Sequence, residues 1–196
     1  MKNIYASLLL LMLFAFLPVV MQAAGKGYLI TKDNKYITGQ VISVKTTELG
    51  GKLVFKNDFG DFYEIHPFLI KGFAYLQEEK KVEYESKFNG NSWLFLQVEV
   101  GGRGIRMYRN ETESVMWEDN DFHYSGGTKS TEIWLEKEGE PPFRIYMMGF
   151  RKRMRTATAD FAELSNKIGL KGYRYRNLKS ILREYNEWFE ATRLML

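Results

Sequence analysis

Three glycines around an arginine, Gly101-Gly102-Arg103-Gly104, follow the apolar run FLQVEV and could hold a phosphate group. Glycine-rich loops bind phosphates when a helix begins directly after them, because the N–H groups at the helix start then point at the ligand. Here the segment IRMYRN follows, and its alternating apolar and polar residues predict a strand. We therefore predict a hairpin turn at this loop, with Val100 opposite Ile105 and Glu99 opposite Arg106.

The side chains that usually carry catalysis or metal binding are sparse. His66 and His123 are the two histidines, and neither has a partner at the spacing of a metal site. No G-x-S-x-G or S-x-x-K motif supplies an activated serine, and the chain has no cysteine. The acidic run at residues 118–121 lacks the glycine and the glutamate of an EF-hand loop. We predict no catalytic residue, no cofactor and no metal ligand.

Two basic runs near the C-terminus are the candidate binding residues: Arg151, Lys152, Arg153 and Arg155 in the first, and Lys171, Arg174 and Arg176 in the second. With tyrosines interleaved in the second run, they are typical of a surface that binds anions. Anionic lipid headgroups, an acidic polysaccharide or an acidic protein are the candidate partners. The alternative interpretation is a solvated helix face without a ligand.

The N-terminus predicts export from the cytoplasm. Lys2, an apolar stretch and the small residues before Gly25 follow the layout of a signal peptide over residues 1–24. Because small eukaryotic secreted domains usually carry disulfides, an exported protein without cysteine favours a bacterial periplasmic or outer-surface location. Nucleic acid is therefore not an expected partner. The net charge of +4 is uneven, because residues 25–142 carry a net −4 and residues 143–196 a net +7.

The elements that must position these residues follow two patterns. Residues 25–148 contain eight to ten short segments rich in β-branched and aromatic residues, separated by Gly, Asn, Asp or Pro. That pattern predicts an antiparallel sheet, barrel or sandwich. In residues 149–196, apolar side chains recur at helical spacing from Phe150 to Ile168 and again from Leu178 to Thr192. We predict a single α+β domain in which a helical hairpin packs on the sheet.

Four stretches of the sequence resemble a broad group of uncharacterised exported proteins from Bacteroidetes-type Gram-negative bacteria: GYLITKDNKYITGQV, GDFYEIHPFLIKGF, FLQVEVGGRGIRMY and LKSILREYNEWFE. The last contains the pair Tyr185-Asn186, which similar proteins often show in their final helix. Such proteins often have a Cys-Pro pair in the first helix, which this chain lacks. The resemblance implies an envelope location and carries no functional residue with it.

Two functions follow as hypotheses. The first is a non-enzymatic binding or structural module of the cell envelope, which would bind an envelope protein or a glycan. The second is a hydrolase that acts on polysaccharide or peptidoglycan through an Asp/Glu pair. The sequence does not identify such a pair, because the separation of two carboxylates is set by the three-dimensional fold.

Overall fold

The computed structural model describes residues 25–47, 50–113 and 129–194. The predicted signal peptide at residues 1–24, the acidic run at residues 118–121 and His123 lie outside these ranges. The described part is α+β, as predicted, with a ten-stranded sheet followed by helices.

The strands are short and separated mostly by tight turns, as the spacing of Gly, Asn and Asp predicts. They are β1 (Lys26–Thr31), β2 (Tyr36–Thr47), β3 (Gly50–Asn57), β4 (Phe62–Ile65), β5 (Ile70–Gln77), β6 (Lys80–Phe88), β7 (Trp93–Val100), β8 (Ile105–Glu113), β9 (Lys129–Lys137) and β10 (Phe143–Ile145).

The sheet is open and its strands lie in the order β10-β9-β8-β7-β6-β5-β1-β2-β3-β4. Neighbouring strands in this order run antiparallel. The sheet curls so far that the end of β2 meets the end of β8 in one parallel bridge, from Thr47 to Glu113. Leu53, Phe55, Phe73 and Phe95 fill the inside of the curl and are fully buried.

The first strand pairing is shifted by one residue from the sequence expectation. The sequence around Asp33-Asn34 predicts a two-residue turn with Ile30 opposite Ile37, whereas Leu29 is the partner of Ile37. The reason is a longer turn: the N–H of Thr31 donates to the carbonyl of Lys35 at 2.9 Å, and residues 32–34 lie between these two partners. Asn34 adopts a positive φ of 64° in this turn, a conformation that asparagine tolerates well.

Three α-helices follow the sheet: α1 (Phe150–Ala157), α2 (Ala162–Lys167) and α3 (Leu178–Arg193). Short 3-10 helices lie at Pro67–Leu69 and at Tyr175–Asn177. The helix expected to run from Phe150 to Ile168 is therefore divided in two. Thr158 ends α1, because its hydroxyl donates to the carbonyl of Met154 at 2.8 Å and its own carbonyl accepts from the N–H of Phe161 at 3.0 Å.

The helices pack on one face of β7–β10 and form a second core there. Strand residues such as Met107 and Leu135 meet fully buried helix residues such as Met154, Leu164 and Tyr185. Burying side chains of this size contributes roughly 1.5–3 kcal/mol each, which is enough to hold the helices on the sheet. The opposite face of these strands carries the buried residues Leu96, Tyr108 and Trp134.

The glycine loop joins β7 to β8 in a hairpin, as predicted, but with a different register. Val100 lies opposite Met107, not Ile105, and the ladder shifts at Glu99 between Val98 and Val100. The cause is Asn186 of α3, whose side chain enters the loop: the N–H of Ile105 donates to its Oδ1 at 2.7 Å, and its Nδ2 donates to the carbonyl of Ile105 at 2.8 Å. A helix side chain thus takes backbone partners that a tight turn would have used.

The predicted pair of Glu99 and Arg106 is accordingly absent from the described contacts. Glu99 accepts instead from Lys179 of α3 and lies 3.7 Å from Arg109. Arg106 points to the other face of the sheet, where it binds Glu85 at 2.6 Å.

Candidate functional site

The first basic run lies on the exposed side of α1. Phe150, Met154 and Ala157 are buried against the sheet, so helical periodicity turns Arg151, Lys152 and Arg153 to solvent. Arg155 is half-buried at the edge of the helix. Cations oppose the dipole at the start of a helix, which favours a start nearer Thr156, but α1 begins at Phe150 and these cations occupy its first turns.

The second basic run lies in the linker between α2 and α3. Lys171, Arg174 and Arg176 are exposed there, whereas Tyr173 and Tyr175 are half-buried and pack against the helical core. The linker therefore alternates, with tyrosines directed inward and cations directed outward.

Three contacts join α1 to α2 and to the segment that carries the second run. The ring of Tyr175 packs edge-on against the ring of Phe150, with 5.7 Å between their centroids. The side chain of Arg151 covers Gly169, where an added Cβ would lie 3.0 Å from Arg151 Cδ. Arg155 also reaches the α2 side of the linker, because its Nη2 donates to the carbonyl of Asn166 at 3.4 Å. These contacts join α1 to α2 and to the segment that carries the second run, and we call the seven predicted cations together the basic surface.

The positive charge of the basic surface is not neutralised locally. None of its seven side chains forms an ion pair with a carboxylate of residues 25–47, 50–113 or 129–194. The nearby acids have other partners: Asp160 binds Lys137 at 3.1 Å, and Glu163 and Glu184 bind Lys167 at 2.7 and 3.4 Å. Cations in the first turn of a helix also oppose its dipole, by some tenths of a kcal/mol each. The arrangement favours binding of an external anion.

Sequence reasoning missed the apolar residues that border the basic surface. The segment FRIYMMG is one of the short apolar segments that predict strands, but β10 ends at Ile145 and the next residues form a turn. In that turn Met147 and Met148 are 77% and 90% exposed. Gly149, whose φ of 78° reverses the chain directly before α1, was the available signal for a turn at this point.

A second cluster of charged side chains lies on the sheet face opposite the helices. We call it the Tyr108 network, and it consists of Glu85, Lys87, Arg106, Tyr108 and Glu136. The hydroxyl of Tyr108 lies within hydrogen-bonding distance of both glutamates, 2.8 Å from Glu85 Oε2. Burial, together with the negative charges of these glutamates, raises the pKa of Tyr108, so its hydroxyl stays protonated and acts as the donor.

The Tyr108 network contains the carboxylate pair that a hydrolase would need, but cations already hold both carboxylates. Lys87 Nζ lies 3.1 Å from Glu85 and 2.6 Å from Glu136. A cavity of about 530 Å³ lies beside the network and is bordered by the Gly102-Arg103 turn and the turn at Glu138 and Gly139. Glu138, at its rim, is paired with Arg193 at 2.7 Å. These contacts favour a structural role for the network.

The remaining predicted residues have local packing roles. His66 precedes the 3-10 helix at Pro67–Leu69, and its ring stacks on Phe68 with 5.9 Å between centroids. Nowhere in the described ranges do three or more His, Asp or Glu side chains converge to hold a metal ion. Among the same residues, no helix combines the length and apolar character needed to cross a bilayer.

The fold and site together define an α+β protein that carries a basic helical surface at one end of an open antiparallel sheet. No protein-family model, no curated protein and no solved structure matches this chain. The resemblance to exported proteins of Bacteroidetes-type bacteria therefore stays a prediction.

Proposed function

We propose that this protein is an exported, non-enzymatic module of the bacterial cell envelope that binds an acidic partner through its basic surface. The observation that carries the proposal is that seven cations at or near the surface have no carboxylate partner among the described residues: Arg151, Lys152, Arg153, Arg155, Lys171, Arg174 and Arg176. The signal-peptide pattern of residues 1–24 supports the envelope location.

The charge distribution supports a binding role over general solubility. Residues 146–176 contain eight Lys and Arg residues and two acidic residues, and both of these acids have partners of their own. A solubilising surface normally intersperses both signs of charge, whereas a field of one sign raises the local concentration of an oppositely charged partner.

The alternative, a hydrolase, rests on the convergence of Glu85 and Glu136 at the Tyr108 hydroxyl. An inverting or retaining glycosidase uses two carboxylates that flank the scissile bond. If the purified protein cleaved peptidoglycan or an acidic polysaccharide, and Glu85→Gln and Glu136→Gln each abolished cleavage while the protein stayed folded, the hydrolase would replace the binding module.

The binding proposal is tested by measuring how the purified protein associates with isolated envelope material over a series of salt concentrations. The test variant replaces Arg151, Lys152, Arg153 and Arg155 with serine. The matched control replaces Lys26, Lys45, Lys80 and Arg103 with serine. These four are exposed cations of the strands and of the loop between β7 and β8 that also have no ion pair within the described residues, and the control removes the same charge.

We expect wild-type binding that weakens with salt, because interactions between exposed charges are screened over roughly 10 Å at 0.1 M. The basic-surface variant should bind at least about tenfold more weakly, a loss of about 1.4 kcal/mol, and the control variant should bind like the wild type. Equal losses in the two variants would show that only net charge matters and would contradict the proposal.

A further inference from the structure

We propose that the acidic partner is an anionic lipid bilayer, and that Met147 and Met148 insert into it while the basic surface contacts the headgroups. This inference rests on the proposed function, because it names the partner of the same surface. We call Met147 and Met148 the apolar tip.

The apolar tip projects from the protein beside the cations. Met148 is 90% exposed, and Arg151 follows it three residues later at the start of α1. On the other side of Arg151 lies the linker, where Leu170 is a further exposed apolar residue, next to the Gly169 that Arg151 covers. Single exposed apolar residues are normal on a protein surface, but two adjacent exposed methionines beside a group of cations offer an anionic bilayer both apolar and cationic contacts.

The turn that carries the tip is held in place by defined contacts. The N–H of Arg153 donates to the carbonyl of Gly149 at 3.1 Å, and Arg153 Nη1 donates to the carbonyl of Arg144 at 2.5 Å. The ring of Tyr146 contacts two guanidinium groups, with its centroid 4.9 Å from Arg144 Cζ and 5.6 Å from Arg153 Cζ. The methionines are therefore presented by a fixed turn, which lowers the entropy that binding must overcome.

The mode of insertion differs from that of an amphipathic membrane helix. The apolar side of α1 faces the protein core, since Phe150, Met154 and Ala157 are buried there. What remains for a membrane is the exposed side of α1 with its arginines, together with the tip that precedes it. Arginine and lysine side chains can reach phosphate groups while neighbouring apolar side chains enter the acyl region.

The chemistry of the tip favours a lipid over the other acidic partners. Methionine and leucine side chains offer no strong hydrogen bonds to the hydroxyl groups of a glycan. A protein partner would need a pocket shaped for the projecting side chains, whereas a bilayer accepts flexible apolar side chains without a preformed pocket. Methionine is well suited to such variable packing because its side chain is unbranched and flexible.

The test uses the absence of cysteine in the chain, which allows one labelled position at a time. Met148→Cys and, as a matched control, Phe59→Cys are each labelled with an environment-sensitive fluorophore. Phe59 is 93% exposed in the turn between β3 and β4, far along the sheet from α1. Each labelled protein is mixed with phosphatidylcholine vesicles, with and without phosphatidylglycerol.

We expect the emission of the label at position 148 to shift to the blue with phosphatidylglycerol vesicles alone, and the label at position 59 to show no shift with either. In a sedimentation assay, Met147→Ser/Met148→Ser should bind these vesicles about tenfold or more weakly than the wild type. The control Phe59→Ser/Leu69→Ser, which removes exposed apolar groups elsewhere, should bind like the wild type.

The remaining outcomes separate this inference from the proposed function. If the wild type binds anionic vesicles but the label stays in water and the serine pair binds equally well, insertion is wrong and charge-driven binding stands. If the protein binds an acidic polysaccharide through Arg151 to Arg155 and no vesicle, the lipid is wrong and the proposed function stands. If replacing those cations changes no binding at all, both proposals are wrong.

Discussion

Asn186 and Ile105 are joined by a pair of hydrogen bonds like those between paired strands. The N–H of Ile105 donates to Asn186 Oδ1 at 2.7 Å, and Asn186 Nδ2 donates to the carbonyl of Ile105 at 2.8 Å. The same Nδ2 donates to the carbonyl of Gly101 at 3.2 Å. Through this one side chain, α3 ties both ends of the loop between β7 and β8 to the helical core.

Replacing Asn186 with alanine should strongly destabilise the protein. The substitution leaves a buried N–H and two carbonyls without their partner, and we expect a loss of about 2–4 kcal/mol in the free energy of unfolding. Urea unfolding followed by circular dichroism measures it. Glu187→Ala, at the exposed neighbouring position of α3, is the control and should change stability by about 0.5 kcal/mol or less. Similar losses in both variants would mean that the loop does not depend on Asn186.

Gly104 should tolerate no side chain, and Gly101 should tolerate one. A Cβ at Gly104 would lie 2.7 Å from Tyr185 Cε1 and 2.8 Å from Asn186 Oδ1, whereas nothing lies within 4 Å of a Cβ at Gly101. We expect Gly104→Ala to lower the free energy of unfolding by about 1–3 kcal/mol through overpacking. Gly101→Ala should have a free energy of unfolding close to that of the wild type. Thermal melting of both variants measures the difference. If both variants melt together, the helix does not pack on this loop as described.

This loop also shows which parts of the fold the sequence could predict. The strands on either side were predictable, because alternating apolar residues and glycines are local signals. Their register was not, because it depends on Asn186, which is far away in sequence and enters the turn only after α3 has packed. The division between α1 and α2 was hidden for a related reason: the apolar stripe from Phe150 to Ile168 has helical spacing whether or not Thr158 interrupts the helix.

The candidate site was predictable in its residue types and hidden in its geometry. All seven cations could be named from two basic runs, but only the packing of Tyr175 on Phe150 shows that α1 contacts the segment that carries the second run. Met147 and Met148 look like strand residues in the sequence, since apolar residues after Ile145 continue the pattern of β10. Their exposure depends on the turn at Gly149, and that turn is set by the docking of α1 on the sheet.

Lys87 should stabilise the sheet through the Tyr108 network. Lys87 Nζ lies between Glu85 and Glu136, and the three side chains are only 17–20% exposed. Lys87→Met leaves two carboxylates close together without their shared cation, so we expect a loss of about 1–3 kcal/mol, less than for a fully buried pair. Chemical denaturation measures it.

Lys81→Met is the matched control for Lys87→Met. Lys81 also pairs with a glutamate, Glu83, at 3.0 Å, but both of these side chains are largely in solvent. An exposed pair of this kind contributes about 0.5 kcal/mol or less. If Lys81→Met destabilises as much as Lys87→Met, the convergence of charges at Tyr108 adds nothing to stability.

Asp160 should make the docking of the helices sensitive to acid. Its Oδ2 accepts from the Tyr185 hydroxyl at 2.7 Å and lies 3.1 Å from Lys137 Nζ, so it joins α3 to β9. Partial burial alone would raise the pKa of Asp160, but the hydrogen bonds from Tyr185 and Lys137 outweigh it and lower the pKa below the ordinary value of 3.8.

Because the pKa of Asp160 is lower in the folded state than in the unfolded state, its contribution is complete above the unfolded pKa and is lost as the pH falls through the folded one. Between the two pKa values the unfolded chain binds more protons than the folded protein, so the stability falls as acid is added.

Asp160→Asn should therefore be less stable than the wild type at neutral pH, by about 1 kcal/mol or less because the carboxylate is 39% exposed. The difference should shrink at pH values below 3.8, as measured by urea unfolding across a pH series. Glu140→Gln, which removes an exposed carboxylate with no ion pair in the described part of the chain, should show no such convergence. A constant difference between Asp160→Asn and wild type over the whole series would mean that Asp160 acts through its shape and not through its charge.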